Sequence, residues 1–159
     1  MRHGNRVAAI SILLMSALAV AVSGLLTAEE SAKHAIVTPE QLVWKEILPG
    51  TEMAVVSGNL DKKGGIYVIR IRTKGEVKVP PHWHLTEEHV TVLEGTFLMA
   101  HGDKYDAAKL RELKVGAHST VPAGMRHFGF HKAGNVIEVF GEAPFVINWV
   151  DPKDISSPQ

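Results

Sequence analysis

An all-β barrel or sandwich is the fold class this sequence predicts, and three observations predict it. From Thr51 onward, short alternating apolar and polar runs recur at spacings of about ten residues, each bounded by glycine or proline. Only one internal segment, residues 102–113, has helical character, and it is too short to stand alone. A chain of 159 residues holds one domain with at most a tail, and is long enough to bury a proper core.

Taken in order, the chain opens with Arg2 and Arg6 ahead of an apolar run over residues 7–26, with no acid before Glu29. A basic start, an apolar middle and small residues after it make residues 1–28 an export signal. Val22-Ser23-Gly24 and Leu26-Thr27-Ala28 are the candidate cleavage sites, the first with the better small-residue pattern. No cysteine is present for a lipoprotein signal. The competing reading is an uncleaved anchor, since the run approaches the ~18 residues that allow spanning, though Ser16, Ser23 and Gly24 soften it. Losing residues 1–28 removes two basic residues and no acid, leaving 15 basic against 17 acidic and a net charge of −2. The expectation is an exported protein, periplasmic or secreted, with no membrane segment in its mature form.

Residues 29–50 read as a linker and arm. Thr38-Pro39-Glu40-Gln41 opens a short helical turn with Thr38 as its cap, and Trp44, Ile47 and Leu48 are apolar anchors before the Pro49-Gly50 turn. The domain proper is expected over 51–150. Strands are predicted at 53–57 and 66–73, separated by a charged turn at 61–65. In 66–73, Tyr67, Ile69 and Ile71 share one face, opposite Val68, Arg70 and Arg72. Segments 88–94 and 96–101 flank Gly95 as a predicted hairpin, and Asp106 is placed to cap a helix within 102–113. Further strands are predicted at 118–121, 127–131, 136–140 and 145–150, and residues 151–159 form a loose tail.

Composition narrows the function. Lys+Arg and Asp+Glu both number 17, so no basic surplus points to nucleic acid. The absence of cysteine rules out disulfides and thiolate ligands, so any metal must use histidine and carboxylate. Seven of the nine histidines lie between His82 and His131.

Within that cluster, His82 and His84 follow Pro80-Pro81, and in an extended chain residues i and i+2 project from one face. Both imidazoles therefore aim at one point. Glu88, an even step further on, keeps the parity; Glu87 is the rival carboxylate but has the opposite parity, as does His89. Two imidazoles and a carboxylate suit a divalent transition metal. A second constellation runs from Gly116 through Pro122 and Gly124 to His127, where Pro122 and Gly124 make a tight turn immediately before a strand. If His127 points inward, Gly129 and His131 do so too, and Gly129 would leave empty space for a substrate.

These residues resemble the two motifs of the cupins, the small double-stranded β-helix or jelly-roll family. His82-Trp83-His84, Glu88 and Gly95 fit the spacing of the first, although Gly75 lies one residue too early for its opening glycine. Gly116, Pro122, Gly124 and His127 fit the second, with His131 where the family has asparagine. The likeness covers residues 51–150 and is closest to single-domain, ChrR-like cupins. It implies a cupin barrel with His82, His84, Glu88 and His127 as metal ligands, holding iron, manganese, nickel, copper or zinc with one or two positions open. It also raises the expectation of homodimers paired through edge strands.

Elsewhere, His89, His101 and His118 read as ordinary surface or strand residues. His131 and Glu138 are the candidate catalytic residues: His131 shares parity with His127, and Glu138 sits inside the apolar strand 136–140, where a buried charge would need a purpose. Arg126 faces solvent or greets an anionic substrate. Arg70 and Arg72 form a solvated strand face, and Trp83, Phe97, Phe128, Phe140, Phe145 and Trp149 belong mostly to the core. The leading functional expectation is a metal-dependent small-molecule enzyme of oxygenase type, such as a dioxygenase. The alternatives are a non-catalytic metal or small-ligand sensing module and a metal-assisted isomerase or lyase.

Overall fold

The computed structural model describes residues 34–155; residues 1–28, expected from the sequence to be an export signal, lie outside them. Within this range the chain forms two antiparallel sheets. One has six strands: β1 (Lys45–Leu48), β2 (Thr51–Ser57), β3 (Ile66–Thr73), β10 (Val136–Glu142), β5 (Glu88–Glu94) and β8 (His118–Val121), in that spatial order. The other has five: β11 (Asn148–Trp149), β4 (Val77–Trp83), β9 (His127–His131), β6 (Thr96–His101) and β7 (Arg111–Lys114). Two sheets of interleaved chain order, with almost no helix, are the jelly-roll expected. Among the described residues no helix is long and apolar enough to cross a membrane.

Alternation builds the core. Ile69 pairs with Val139, and Val139 with Val90, giving one buried row across β3, β10 and β5. Burying side chains of this size stabilises by about 1.5–3 kcal/mol each. Tyr67, Val92, Phe97, Ile137 and Ala143 complete the cluster. The neighbouring row, Arg70, Glu138, Thr91 and His118, has the opposite parity and faces outward.

Several local expectations give way to tertiary context. The hairpin at Gly95 does not form. β5 pairs with β10 and β8 in one sheet, while β6 pairs with β7 and β9 in the other, so Gly95 is the corner where the chain changes sheets. It takes φ +67°, and a Cβ there would sit 3.1 Å from the Asn135 Cα and the Gly134 carbonyl. The helix expected within 102–113 shrinks to one turn, Ala107–Lys109, capped as anticipated by Asp106, which accepts from the Ala108 N–H at 3.0 Å. Arg111–Lys114 is captured instead as a strand by the free edge of β6. The turn at Pro39–Gln41 forms, with the Thr38 N–H donating to Gln41 Oε1 at 2.8 Å. Ile47 and Leu48, expected as apolar anchors, lie in a strand, Lys45–Leu48, that pairs with β2.

Candidate metal centre

Three strands bring the candidate ligands together. On β4 the ladder to β9 slips by one residue between Val79 and His82, because Pro80 and Pro81 have no N–H to donate. The bulge turns His82 inward opposite its partner His127, and leaves the Pro80 carbonyl free to accept from His82 Nδ1 at 2.8 Å. Glu88 opens β5 with the same inward parity as Val90 and Val92. Beyond the end of β4, His84 turns in as well and stacks on Phe145, with ring centroids 5.4 Å apart. Trp149 lies 5.4 Å from the His82 ring, so the C-terminal segment closes one side of the site.

Each imidazole is fixed through its Nδ1. His82 meets the Pro80 carbonyl, His84 the Val146 carbonyl at 2.9 Å, and His127 the Met125 carbonyl at 3.1 Å. A carbonyl only accepts, so the ring hydrogen resides on Nδ1 in all three, leaving three Nε2 lone pairs. The ligand atoms of His82, His84 and His127 lie within 4.8 Å of one another, and all three residues are buried. Glu88 stands between two of them: its Oε1 is 3.3 Å from His84 Nε2, its Oε2 3.2 Å from His127 Nε2.

Lone pairs and a carboxylate facing each other out of water repel unless a positive charge joins them. The His84 Nε2 is buried with no hydrogen-bond partner among the described residues. Burial pushes the His82 imidazole down to about 3, reinforced by His127, so it stays neutral. For His84 burial acts the same way, but Glu88 outweighs it and raises the affinity for a proton. Burial would raise Glu88, yet the facing imidazoles of His127 and His84 hold it well below the usual carboxylate range. The cluster thus attracts positive charge, and a divalent transition metal fits its donors: three neutral imidazole nitrogens, each braced by a backbone acceptor, and one carboxylate.

The ligands face a chamber of about 70 Å³ with mostly apolar walls, including Ile71, Val79, Met99, Val139 and Phe145. Its polar lining besides the ligands is Thr51 and His131. The Thr51 hydroxyl is buried with no hydrogen-bond partner among the described residues. His131 points inward as expected, but its Nδ1 is 2.6 Å from the Oδ1 of the fully buried Asn135, and burial lowers its pKa to about 4. Asn135 in turn donates to the Glu94 carbonyl at 2.8 Å. It lies four residues past the position where the family's motif has its asparagine.

Two expectations about the pocket need correction. Glu138 is not a pocket group. It stands on the outer face, where its Oε2 accepts from Arg70 Nε at 3.0 Å, and the cross-strand pairing of these residues explains how an acid sits in an apolar strand. Nor does Gly129 leave a void: a Cβ there would come within 2.6 Å of the Phe97 ring, which already fills the space. Arg70 and Arg72 are less solvated than expected, since Arg72 pairs with Glu52 at 2.8 Å and stacks on Trp44. His89 does lie outside, stacked on Phe140 at 4.4 Å, with Glu87 3.1 Å from its Nε2. Arg126 pairs with Asp103 at 3.0 Å on the surface.

Sequence reasoning passed over Met99, which lines the chamber, and read His101 as an ordinary strand residue although it is the cross-strand partner of His127. The alternation Phe97, Met99, His101 along β6 carried that signal, because Phe97 is buried and the other two share its parity.

No curated protein matches this sequence. Several solved structures share its fold at low identity. The polyketide cyclase RemF from Streptomyces resistomycificus is 18% identical, covering 77% of this chain and 89% of its own, with a TM-score of 0.62. Salicylate 1,2-dioxygenase from Pseudoaminobacter salicylatoxidans, in complex with gentisate, is 15% identical over 62% of this chain and 26% of its own, with a TM-score of 0.51. The Rhodobacter sphaeroides complex of SigE with the anti-sigma ChrR contains a chain 17% identical over 66% of this chain and 51% of that one, with a TM-score of 0.52. Such identities speak for the fold alone. The sequence family described as the ChrR cupin-like domain matches residues 32–136, well over half of the chain. The three candidate ligand histidines, His82, His84 and His127, fall inside that match, and the chain belongs to the ChrR cupin-like domain family.

Proposed function

We propose that this protein is an exported cupin that holds a divalent transition metal through His82, His84, His127 and Glu88 and acts on a small molecule by oxygenase-type chemistry. The observation that carries the metal reading is the bracing of three Nδ1–H groups by backbone carbonyls, which presents three Nε2 lone pairs to one carboxylate. A bound divalent metal supplies redox or Lewis-acid chemistry at the chamber wall. The chain's own residues orient and enclose. The apolar walls exclude water and hold an apolar body, while the Thr51 hydroxyl offers a hydrogen bond to a polar group on it. Glu138 lies outside the chamber, and His131, held through its Nδ1 by Asn135, keeps an Nε2 lone pair there but is a weak base, because burial lowers its pKa to about 4. This favours the oxygenase reading over an isomerase or lyase, which needs a strong base within reach. Export rests on residues 1–28, and a homodimer through an exposed edge strand belongs to the same proposal.

The second reading is a non-catalytic sensor or carrier of the metal. Membership in a family described by ChrR favours it, as does the small size of the chamber. Anaerobic reconstitution with ferrous iron, followed by oxygen-electrode measurements over a panel of small phenols and carboxylates, separates the two. Iron-dependent oxygen uptake supports the oxygenase. Tight stoichiometric zinc with no uptake for any member of the panel supports the sensor. Amino-terminal sequencing of protein from the native host tests export, and an intact Met1 would count against it.

A further inference from the structure

With Gly129 closed off by Phe97, a ligand must reach the chamber by another way. β7 and β8 are each an edge strand of one sheet, and a cleft of about 320 Å³ opens beside them. Met99 and His127 line both this cleft and the inner chamber. These two side chains, one of them a candidate metal ligand, therefore stand between the cleft and the chamber. Methionine is unbranched and swings easily, and here its sulfur accepts only a weak hydrogen bond from the Ser119 hydroxyl, at 3.4 Å. That contact spans from β6 to β8.

The cleft has a charge preference. Arg111 lines it, exposed and without an ion-pair partner among the described residues. His101 lines it too; as the cross-strand partner of His127 it leaves the sheet on the same face, with Cβ atoms about 5 Å apart. Its imidazole has no hydrogen-bond partner among the described residues. The acid in the lining, Glu112, is already engaged by Lys114 at 3.5 Å. A guanidinium and an imidazole thus stand uncommitted beside His127, with no free carboxylate to oppose an anion.

We propose that the cleft beside β7 and β8 is the vestibule of the metal centre, that it takes a small anion such as a carboxylate on Arg111 and His101, and that Met99 gates its passage inward. This rests on the metal reading above and adds a route, a gate and a charge class to it.

The test uses the full domain loaded with cobalt(II), with azide as the anionic probe and imidazole as the neutral one, both followed by visible absorbance in a stopped-flow instrument. Arg111→Glu should weaken azide binding roughly tenfold, flatten its salt dependence and leave imidazole binding unchanged. His101→Ala should weaken azide in the same direction. Met99→Ala should speed azide association and Met99→Phe slow it, with the cobalt spectrum before mixing unaltered in both. Lys62→Glu, the same charge change on a remote turn, should do nothing. Azide affinities and rates within twofold of wild type in all four cleft variants, with normal cobalt spectra, would overturn the vestibule while the metal centre stands. Equal loss of azide and imidazole binding in Arg111→Glu would overturn the charge preference. Failure of the wild type to give any ligand-bound cobalt spectrum would overturn the metal reading itself, and the vestibule with it.

Discussion

The backbone N–H of Gly124 donates to the carbonyl of His84 at 2.9 Å. One hydrogen bond therefore ties the turn that delivers His127 to the segment that delivers His84, and the two halves of the site are held at a fixed separation. Gly124 takes φ +74°, and a Cβ there would meet nothing within 4 Å. Gly124→Ala should accordingly cost about 1 kcal/mol through backbone strain alone, and should weaken metal binding by misplacing His127. Urea unfolding with and without metal checks both parts; an unchanged midpoint together with unchanged metal affinity would show that the turn is not held as described.

Removal of any one Nε2 from the cluster leaves the remaining lone pairs and Glu88 without a complete cation site. His82→Ala, His84→Ala and His127→Ala should each reduce metal content from stoichiometric to near background in elemental analysis. Glu88→Gln keeps the shape but removes the charge, and should bind more weakly than wild type without abolishing binding. Full retention in the three alanine variants would refute the site.

Thr51 presents the opposite case, a buried hydroxyl that gains nothing in the free protein. Thr51→Val replaces it with a methyl group of the same shape, so thermal stability should hold or rise by about 1 kcal/mol. If the hydroxyl serves a ligand, ligand affinity should fall in the same variant. A loss of more than about 1 kcal/mol on thermal unfolding would show that the hydroxyl has a partner after all.

His131 gives the protein a defined sensitivity to acid. Its folded pKa, about 4, lies below the ordinary 6.5, because burial disfavours the imidazolium despite the hydrogen bond to Asn135. The unfolded chain therefore takes up the proton first as pH falls. This group costs nothing above the unfolded value, destabilises progressively from 6.5 down to about 4, and changes little below that. The loss over that window is at most about 3 kcal/mol. His131→Gln, which keeps a donor for Asn135, should flatten the fall in stability across the same window in urea titrations at successive pH values. An identical slope in the variant would assign the acid sensitivity elsewhere.

Part of the candidate ligand set was legible from local parity: His82, His84 and Glu88 lie at even steps along one segment. That His127 joins them was implied by the resemblance of the two motifs to the cupins, because parity along one segment says nothing of where a distant one lies. The sequence also determined that Tyr67, Ile69 and Ile71 share one face of β3 and that any metal must be bound by nitrogen and oxygen. Tertiary structure decided what parity cannot express: which strand lies beside which, and which face is inside. Gly95 became a corner between sheets because the partners of β5 and β6 belong to different sheets. Glu138 went outward because its neighbour across the ladder is Arg70, a residue 68 positions away. The space beside Gly129 was taken by Phe97 from another strand, and the open cleft appeared beside β7 and β8, where two distant segments end their sheets side by side. A side chain's direction is set by its own backbone, whereas the space it finds there is set by residues far along the chain, and only folding brings those two facts together.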